Sequence, residues 1–294
     1  MLSILIPAYC YGEGVFRILT QLKSLSYDNC ELIIFDDSPD DQVEEIIANW
    51  SMAKDIQFIY KHNQPAYGAA ANWNALLEAA KGEYCLLLHH DEFPLVDHFV
   101  KDIVIALRND PKVDVLVLDC VLVDSRGGRN RRHLPTWLRA FVIRHFPEYL
   151  FRRNVIGPTS VIVIRRTLYP HFDARLKWLI DVDAYVRLFK TTRHFRFCPE
   201  IQIGSILDHA NSVTATLGSS IPLIAREERA YLRDIHNNTS IWLGPASGES
   251  ILYSVLYAFE NLLWIIMRLF TRVSVLFHAP VSRKKIKKIM ELSS

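Results

Sequence analysis

The stretch Glu31-Leu-Ile-Ile-Phe35 runs directly into the polar stretch Asp36-Asp37-Ser38-Pro-Asp40-Asp41. A short, continuous apolar run bounded by turn residues is typical of a strand in a parallel sheet that is covered on both faces. Carboxylates that follow such a strand point into the ligand crevice of a doubly wound sheet. Ser38 or Asp40 would suffice to cap a following helix. Because two consecutive acids are more than a cap needs, the stretch favours a ligand-binding edge of an α/β sheet.

The same pattern repeats along the first half of the chain. Apolar runs alternate with helix-like segments, which predicts a mostly parallel sheet with helices on both faces. The predicted strands are Leu2–Pro7, Glu31–Phe35, Gln57–Lys61, Tyr84–His89 and Val113–Leu118, and the predicted helices are Val15–Leu25, Asp41–Asn49, Tyr67–Lys81 and Leu95–Arg108. Pro94 is expected to begin the last helix.

Gly12-Glu13-Gly14 follows the first strand, but Arg17 replaces the third small residue of a dinucleotide-binding motif, so we reject a dinucleotide as the ligand.

The second half of the chain has a different character. Residues 124–153 are rich in arginine and are predicted to form a long loop with one short helix. A strand at Val161–Ile164, a helix at Leu179–Lys190 and a strand at His194–Phe197 are predicted to follow.

Composition and charge narrow the class of protein. Half of the 294 residues are hydrophobic, 22% are charged and the formal net charge is +2, which excludes a disordered chain and gives no reason to expect a nucleic-acid partner. The charge is nevertheless segregated: eight arginines and one acid lie between Arg126 and Arg153, and five basic residues lie between Arg283 and Lys288. An acidic body with two basic patches suits a protein that holds a cation and meets an anionic surface, although solvated loops are the alternative.

Two features favour a cytoplasmic location. The five cysteines form no CxxC pair, which is typical of reduced thiols rather than of a zinc ribbon or a disulfide framework. The chain opens with a predicted strand at Leu2–Pro7 instead of a basic segment followed by a cleavage site.

The segment Ser250–Phe277 is very apolar but is interrupted by polar residues. Glu260, Asn261, Arg268 and Arg272 fall within about 120° of one another on a helix, and the rest of the wheel is mostly apolar. A wide apolar face followed by a basic cluster predicts an amphipathic helix in a membrane interface. Packing on the domain or in a homodimer interface is the alternative.

The predicted strand at Tyr84–Leu88 ends in His89-His90-Asp91-Glu92. Carboxylates suit a hard cation such as Mg²⁺ or Mn²⁺, and Mn²⁺ also tolerates imidazole. Because alternate residues of an extended strand share a face, His89 and Asp91 are expected to point together.

Five motifs in this order resemble family 2 glycosyltransferases, which have the GT-A fold and invert the anomeric centre. They are Ser3-Ile-Leu-Ile-Pro-Ala-Tyr9, Glu31-Leu-Ile-Ile-Phe-Asp-Asp37, Asn72-Trp-Asn74 leading to Ala80-Lys-Gly-Glu-Tyr84, Leu87-Leu-His-His-Asp-Glu92 in place of the family's Asp-x-Asp, and Trp178-Leu-Ile-Asp-Val-Asp-Ala-Tyr-Val-Arg187. The resemblance implies a GT-A domain over residues 1–215, leaving residues 216–294 as a helical region that associates with the membrane.

The resemblance also implies roles for individual residues. Asp181 would be the general base, with Asp183 as the next candidate, although Asp183 and Arg187 are spaced for a structural ion pair. The implied donor-binding residues are Pro7, Tyr9, Asp37, Asn74 and His89, and the implied metal ligands are Asp91, with Glu92 and His209 as further candidates. Asp37 would accept a hydrogen bond from a uracil-like base. The chain departs from the family at His89, which replaces an acid, and at Trp73, where many relatives carry an arginine.

Together these features predict transfer of a sugar from a UDP- or dTDP-sugar to a hydroxyl of a glycan acceptor. The basic patches and the apolar C-terminal helix favour a lipid-linked acceptor at the inner face of the cell membrane, as in polysaccharide assembly. A sugar-1-phosphate nucleotidyltransferase is one alternative, although the loop Ala8-Tyr-Cys-Tyr-Gly12 lacks the basic residue expected of it. A catalytically inert membrane scaffold with the same fold is the other.

Overall fold

The computed structural model describes residues 1–23, 30–50, 57–124, 129–132, 135–207, 213–236, 258–266 and 283–291. Within these ranges, strands form one mixed sheet that helices cover. The strands are β1 (Leu2–Ala8), β2 (Cys30–Asp36), β3 (Gln57–His62), β4 (Tyr84–Leu87), β5 (Glu92–Pro94), β6 (Val115–Val123), β7 (Arg129–Arg132), β8 (Ile162–Arg165) and β9 (Phe195–Ile206). The helices are α1 (Gly12–Lys23), α2 (Gln42–Asn49), α3 (Ala69–Ala79), α4 (Phe99–Asn109), α5 (Thr136–His145), α6 (Ile180–Thr191), α7 (Val213–Leu217), α8 (Ile221–Ile235), α9 (258–266) and α10 (Arg283–Glu291).

The sheet has the strand order β3-β2-β1-β4-β8-β6-β9-β5, with β7 paired to β6. Strands β3, β2, β1 and β4 run parallel, as the sequence predicts. In the second half, β8 is antiparallel to both β4 and β6, and β6 is parallel to β9. The sheet is therefore mostly parallel on one side and mixed on the other.

The central strands explain where the ligand crevice lies. Every residue of β1 and β2 is buried, as expected for strands with helices on both faces. Ala8 at the end of β1 pairs with Asp36 at the end of β2, so both chains leave the sheet side by side. The chain passes from β1 to β2 and β3 on one side and returns to β4 on the other side of β1, and this reversal places the ligand crevice at the carboxyl edge beside β1.

The structure departs from three local predictions. Pro94 does not begin a helix: it ends β5, and α4 starts at Phe99. The strand predicted at His194–Phe197 extends to Ile206, because β9 pairs along most of β6 and then with β5. The arginine-rich segment is more regular than a long loop, since it contains β7, α5 and a 3-10 turn at Pro147–Phe151.

The C-terminal helices pack on the same body. Leu232 of α8 is fully buried in the main core, and α10 inserts Ile286 and Ile289 into a second apolar cluster with Phe93 and Val121. The division of the chain at residue 215 stays a prediction, although the packing continues across it through α8. None of the helices in the described ranges has the length and apolarity that crossing a membrane would require.

Candidate active site

A cavity of about 710 Å³ opens at the carboxyl edge of the parallel strands. Its walls come from the ends of β1 and β2, the start of α3, the loop after β4, the segment before α6, and α7. Of the residues predicted to bind the donor or a metal, the structure brings five to this cavity: Pro7, Tyr9, Asp37, His89 and Asp91.

The two acids at the end of β2 have different environments. Asp37 lines the cavity, and its carboxylate accepts hydrogen bonds from Asn63 Nδ2 (2.8 Å) and from the backbone N–H groups of Tyr67 (3.1 Å) and Gly68 (2.8 Å). Gly68 has φ +82°, which favours glycine at this turn. Asp36 is fully buried, and its carboxylate accepts hydrogen bonds from Ser38. Asp37 therefore faces the ligand side, whereas Asp36 holds the loop.

Two tyrosines line the cavity with much of their rings exposed. Tyr9 and Tyr67 have 48% and 42% of their surface accessible, unlike most large apolar side chains of this sheet. Lys61 Nζ donates a hydrogen bond to Tyr67 Oη (2.5 Å) and lies over the rings of Tyr67 and Phe35. Tyr67 was missed by the sequence analysis, although an aromatic residue directly before the small residues that open α3 was a usable signal.

Three possible metal ligands meet after β4. Ligand atoms of His89, Asp91 and Glu92 lie within 4.8 Å of one another. Ile206 donates its backbone N–H to the Asp91 carbonyl oxygen (3.1 Å), so β9 fixes this segment. Two carboxylates and an imidazole fit a divalent cation, and the imidazole favours Mn²⁺ over Mg²⁺.

The three candidate ligands are not equivalent. Asp91 and His89 line the cavity, whereas Glu92 is buried and accepts the backbone N–H of His89 (3.1 Å). Burial, assisted by the charge of Asp91, raises the pKa of Glu92 well above its ordinary value. Asp91 is therefore the ligand best placed to meet a cation from the cavity side.

Glycine at position 14 allows α1 to approach this segment. A Cβ atom at Gly14 would lie 2.0 Å from the carbonyl oxygen of His90. His90 Nδ1 is in turn 3.2 Å from the carbonyl oxygen of Pro7. Gly14 thus allows close packing at the site, which agrees with the rejection of a dinucleotide-binding motif after β1.

An aromatic wall occupies the positions at which the chain departs from the family pattern. The rings of Trp73 and His89 are 4.7 Å apart, and Trp73 meets Phe172 edge-on at 5.0 Å. His89 Nε2 is 3.0 Å from Thr159 Oγ1, and burial lowers the pKa of His89 to about 4. The imidazole is therefore neutral at neutral pH, where the family's acid would be charged.

Asn74 supports this wall instead of facing the donor. Its carboxamide donates to the Phe172 carbonyl oxygen (2.9 Å) and accepts the Phe172 N–H (2.8 Å), and it is not among the residues that line the cavity. Its donor contact stays a prediction, and in the structure both polar atoms of the amide hold the backbone of Phe172.

Asp181 lies in the first turn of α6, next to Ile180 in the cavity wall. Its carboxylate accepts hydrogen bonds from Asn154 Nδ2 (3.0 Å) and the Val182 N–H (2.8 Å). Burial outweighs these bonds and raises the pKa of Asp181 to about 7, while its charge contributes to the raised pKa of Glu92. A carboxylate with a pKa near the operating pH suits general-base chemistry.

Asp183 is engaged elsewhere. Its carboxylate bonds Arg187 (2.7 Å), and His236 Nε2 lies 2.9 Å from its other oxygen. The predicted ion pair with Arg187 is confirmed, which leaves Asp181 as the acid of α6 beside the cavity.

The loop that holds Asp181 depends on an arginine that the sequence analysis misread. Arg139 is buried and donates to the carbonyl oxygens of Val155 (3.0 Å) and Ile156 (2.9 Å), and it pairs with Asp119 (3.0 Å). Asn154 begins this loop. Arg139 therefore does not belong to a surface patch, contrary to its expected place in the basic segment 126–153.

A glutamate of α8 caps the helix that carries Asp181. Glu228 is buried and accepts the backbone N–H groups of Lys177, Trp178 and Leu179, which lie just before α6. Backbone donors at a helix N-terminus need such a partner. The sequence analysis did not identify this support, because the two segments are far apart along the chain. His209, the remaining candidate ligand, lies outside the described residues.

Helix α9 presents its apolar side outward. Its side chains Phe259, Leu262, Leu263, Ile265 and Ile266 are exposed. Its polar side chains face the protein instead: Glu260 pairs with Arg152 and accepts from Tyr149 Oη (2.6 Å), and Arg153 donates to Asn261 Oδ1 (2.7 Å). Glu260 and Asn261 of the predicted polar sector therefore bond to the protein, whereas Arg268 and Arg272 lie outside the described residues.

The chain resembles known proteins in sequence and in structure. The family model described as "Glycosyl transferase family 2" matches residues 3–169. "UDP-Glc:alpha-D-GlcNAc-diphosphoundecaprenol beta-1,3-glucosyltransferase WfaP" of Escherichia coli is 34% identical over 93 residues, which is 32% of this chain and 36% of that protein. "Abequosyltransferase RfbV" of Salmonella typhimurium is 27% identical over 148 residues, which is 47% of this chain and 41% of that protein. The chain thus spans less than half the length of these relatives.

Two solved structures have a similar fold. S. aureus TarS 1-349 in complex with UDP-GlcNAc superposes with a TM-score of 0.61 and 16% identity, covering 81% of this chain and 67% of that one. The mannosyltransferase PcManGT from Pyrobaculum calidifontis, in complex with GDP-Man and Mn²⁺, gives a TM-score of 0.56 and 13% identity, covering 99% of this chain and 86% of that one. The predicted GT-A fold with C-terminal helices is confirmed.

Proposed function

The chain belongs to glycosyl transferase family 2, and from this premise we propose that it is an inverting glycosyltransferase that moves a sugar from a nucleotide-sugar to a hydroxyl of a glycan acceptor. The observation that carries the proposal is the environment of Asp181. Asp181 directly follows Ile180 of the cavity wall, its pKa is raised to about 7, and Asn154 and Val182 donate hydrogen bonds to its carboxylate.

Different residues of the cavity would act as the base, bind the donor and hold a cation. Asp181 accepts the proton of the acceptor hydroxyl as its oxygen attacks the anomeric carbon, and the nucleoside diphosphate leaves from the opposite face. Tyr9 and Asp37 bind the base of a UDP- or dTDP-sugar at the rim of the cavity. Asp91, with His89 and Glu92, would hold a divalent cation, which neutralises charge on the diphosphate when bound.

A nucleotidyltransferase is disfavoured by the loop after β1. The nearest basic residue, Arg17, is buried against the rings of Tyr11 and Phe93. It is therefore not available to a nucleotide phosphate in the cavity. An inert scaffold is disfavoured by Asp181, whose raised pKa and fixed orientation serve no evident packing purpose.

Release of nucleoside diphosphate from a panel of nucleotide-sugars tests the function directly. We expect release to depend on a glycan acceptor and to be stimulated by Mn²⁺. Formation of pyrophosphate from a sugar-1-phosphate and a nucleoside triphosphate would favour the nucleotidyltransferase. Absence of turnover with every donor would favour the inert scaffold.

We further propose that the acceptor is a lipid-linked glycan of polysaccharide synthesis and that the protein binds the inner face of the cell membrane. The outward apolar side of α9 supports this location, and the exposed lysines of α10 add positive charge. Arg152 and Arg153 join α9 to the loop of Asn154, so the proposed membrane side adjoins the base.

Substituting the outward face of α9 tests the location. Phe259→Ser combined with Leu262→Ser is expected to weaken sedimentation with anionic vesicles by roughly tenfold or more, because interfacial binding scales with buried apolar area. Point substitutions are preferable to removal of the C-terminus, since truncation would also uncover the cluster beneath Ile286. Unchanged sedimentation of this variant would assign the face to a homodimer or another packing contact.

Asn154→Ala tests the support of the base. The hydrogen bond from Asn154 lowers the pKa of Asp181, so its loss is expected to raise that pKa and to move the acidic limb of the rate profile to higher pH. Turnover near neutral pH is expected to fall by roughly tenfold with donor affinity unchanged. A uniform loss of rate without a shift of the pH profile would indicate a purely structural role.

A further inference from the structure

Helix α5 carries an aromatic stripe on its outer side. Trp137, Phe141 and Phe146 are 66%, 50% and 44% exposed. Trp137 and Phe141 are one helical turn apart, and the rings of Phe141 and Phe146 lie 5.8 Å from each other. Val142 and Ile143, on the inner side of this helix, are buried and pack against the core. The outward position of Trp137 and Phe141 is therefore not explained by packing among the described residues.

Positive charge flanks the aromatic stripe. Arg144 is exposed and its guanidinium lies 5.1 Å from the centre of the Phe195 ring. Arg193, also exposed, donates a hydrogen bond to the backbone carbonyl oxygen of Arg144 at the end of α5, and the nearby acid Glu148 is paired with Lys190. Aromatic rings beside arginine are the composition of surfaces that enter the headgroup region of an anionic bilayer.

The stripe continues toward the outward face of α9. Phe146 is followed by the turn that contains Tyr149, and Tyr149 Oη contacts both Glu260 and Trp264 of α9 (2.6 Å and 2.5 Å). One short turn thus connects two elements that each expose several large apolar side chains. A partner that contacts both elements at once would be a broad membrane surface rather than a narrow peptide.

We propose that the aromatic stripe of α5, with Arg144 and Arg193, is a second contact with an anionic lipid surface, distinct from α9. The inference rests on the proposed membrane location. Two separated contacts fix the orientation of the domain on the bilayer, whereas one helix alone leaves it free to tilt. The Asn154 loop follows the same turn, so the orientation keeps the base on the side from which a lipid-linked acceptor arrives.

Vesicle sedimentation with the full chain tests the stripe. Trp137→Ser combined with Phe141→Ser is expected to require roughly tenfold more lipid for half-maximal binding to vesicles of phosphatidylglycerol and phosphatidylcholine. The matched control, Ile59→Ser with Ile105→Ser, removes two other exposed apolar side chains on β3 and α4 and is expected to leave binding unchanged. Arg144→Gln with Arg193→Gln is expected to weaken binding to these vesicles by roughly tenfold and binding to pure phosphatidylcholine hardly at all.

The outcomes separate this inference from the proposed function. An unchanged lipid requirement of the Trp137 and Phe141 variant overturns the inference. A shift of that variant from dimer to monomer in lipid-free sedimentation, without an effect on vesicle binding, overturns it in favour of a contact between copies of this chain. Release of nucleoside diphosphate in lipid-free solution is measured on the same variants, and its absence even in the unmodified chain would count against the glycosyltransferase proposal alone.

Discussion

Asp181→Asn is expected to lower turnover by roughly 10²-fold to 10⁴-fold while binding of the nucleoside diphosphate stays unchanged. Asparagine keeps the shape of the side chain and can accept one of the two hydrogen bonds through its single carbonyl oxygen, but it cannot take the acceptor's proton. Single-turnover transfer at saturating donor and acceptor measures the first quantity, and calorimetry with the nucleotide measures the second.

The pH dependence gives a second readout of the same residue. Because the general base acts in its deprotonated form and burial raises the pKa of Asp181 to about 7, turnover is expected to rise with pH through neutrality and then level off. The Asn variant is expected to lack this acidic limb.

Asp183→Asn is the matched control for that substitution. It removes an acid from the same helix turn, but one that bonds Arg187 and His236, so we expect lower stability with nearly normal turnover of the folded protein. Normal transfer by the Asp181 variant together with loss in the Asp183 variant would move the base to Asp183.

The parallel half of the sheet was predictable because its signals are local. The apolar runs at β1, β2 and β4 are continuous, and the polar residues that end them fall at one edge by topology alone. Asp37, His89 and Asp91 were found for this reason, because polar side chains that follow buried parallel strands face the ligand crevice. The ion pair of Asp183 with Arg187 was equally accessible, since it depends only on helical spacing.

The errors lie where a distant segment decides the structure. Pro94 lies in a strand because β9, more than a hundred residues later, supplies the pairing partner. Arg139 was counted with its charged neighbours, whereas Asp119 and two backbone carbonyl groups make its burial tolerable. Glu228 caps α6 from α8, a contact that no local pattern encodes.

A local pattern also does not determine which face of an amphipathic helix turns toward the protein. Periodicity identified a polar sector from residues such as Glu260 and Asn261, but it left open whether the apolar face meets a membrane or packs on the protein. In the structure these two polar side chains turn inward, because Arg152 and Arg153 offer partners for both. A hydrophobic pattern defines two faces, but the partners available on the protein decide which face turns inward.

Removal of the proposed metal ligand Asp91 is the second substitution with a large expected effect. Asp91→Ala is expected to abolish the increase in donor affinity that Mn²⁺ produces, with at least roughly hundredfold weaker binding in the presence of the ion, since even residues behind a metal ligand often contribute ten- to hundredfold. Asp37, another carboxylate that lines the cavity, already accepts three N–H groups. Glu92 is buried with a raised pKa, so it is a poor replacement for Asp91.

Calorimetric titration with UDP, with Mn²⁺ and with chelator, distinguishes this effect from unfolding. Without the ion, the variant and the unmodified chain are expected to bind UDP equally weakly, because the aromatic wall and Asp37 are untouched. Asp97→Ala removes an exposed acid of the same region that pairs with Lys285 (2.8 Å), and it is expected to leave the Mn²⁺ effect intact. If the Asp91 variant kept the full Mn²⁺ effect, the cation would be held elsewhere. If the unmodified chain showed no Mn²⁺ effect, the neutral His89 in place of the family's acid would mark a donor site that works without the ion.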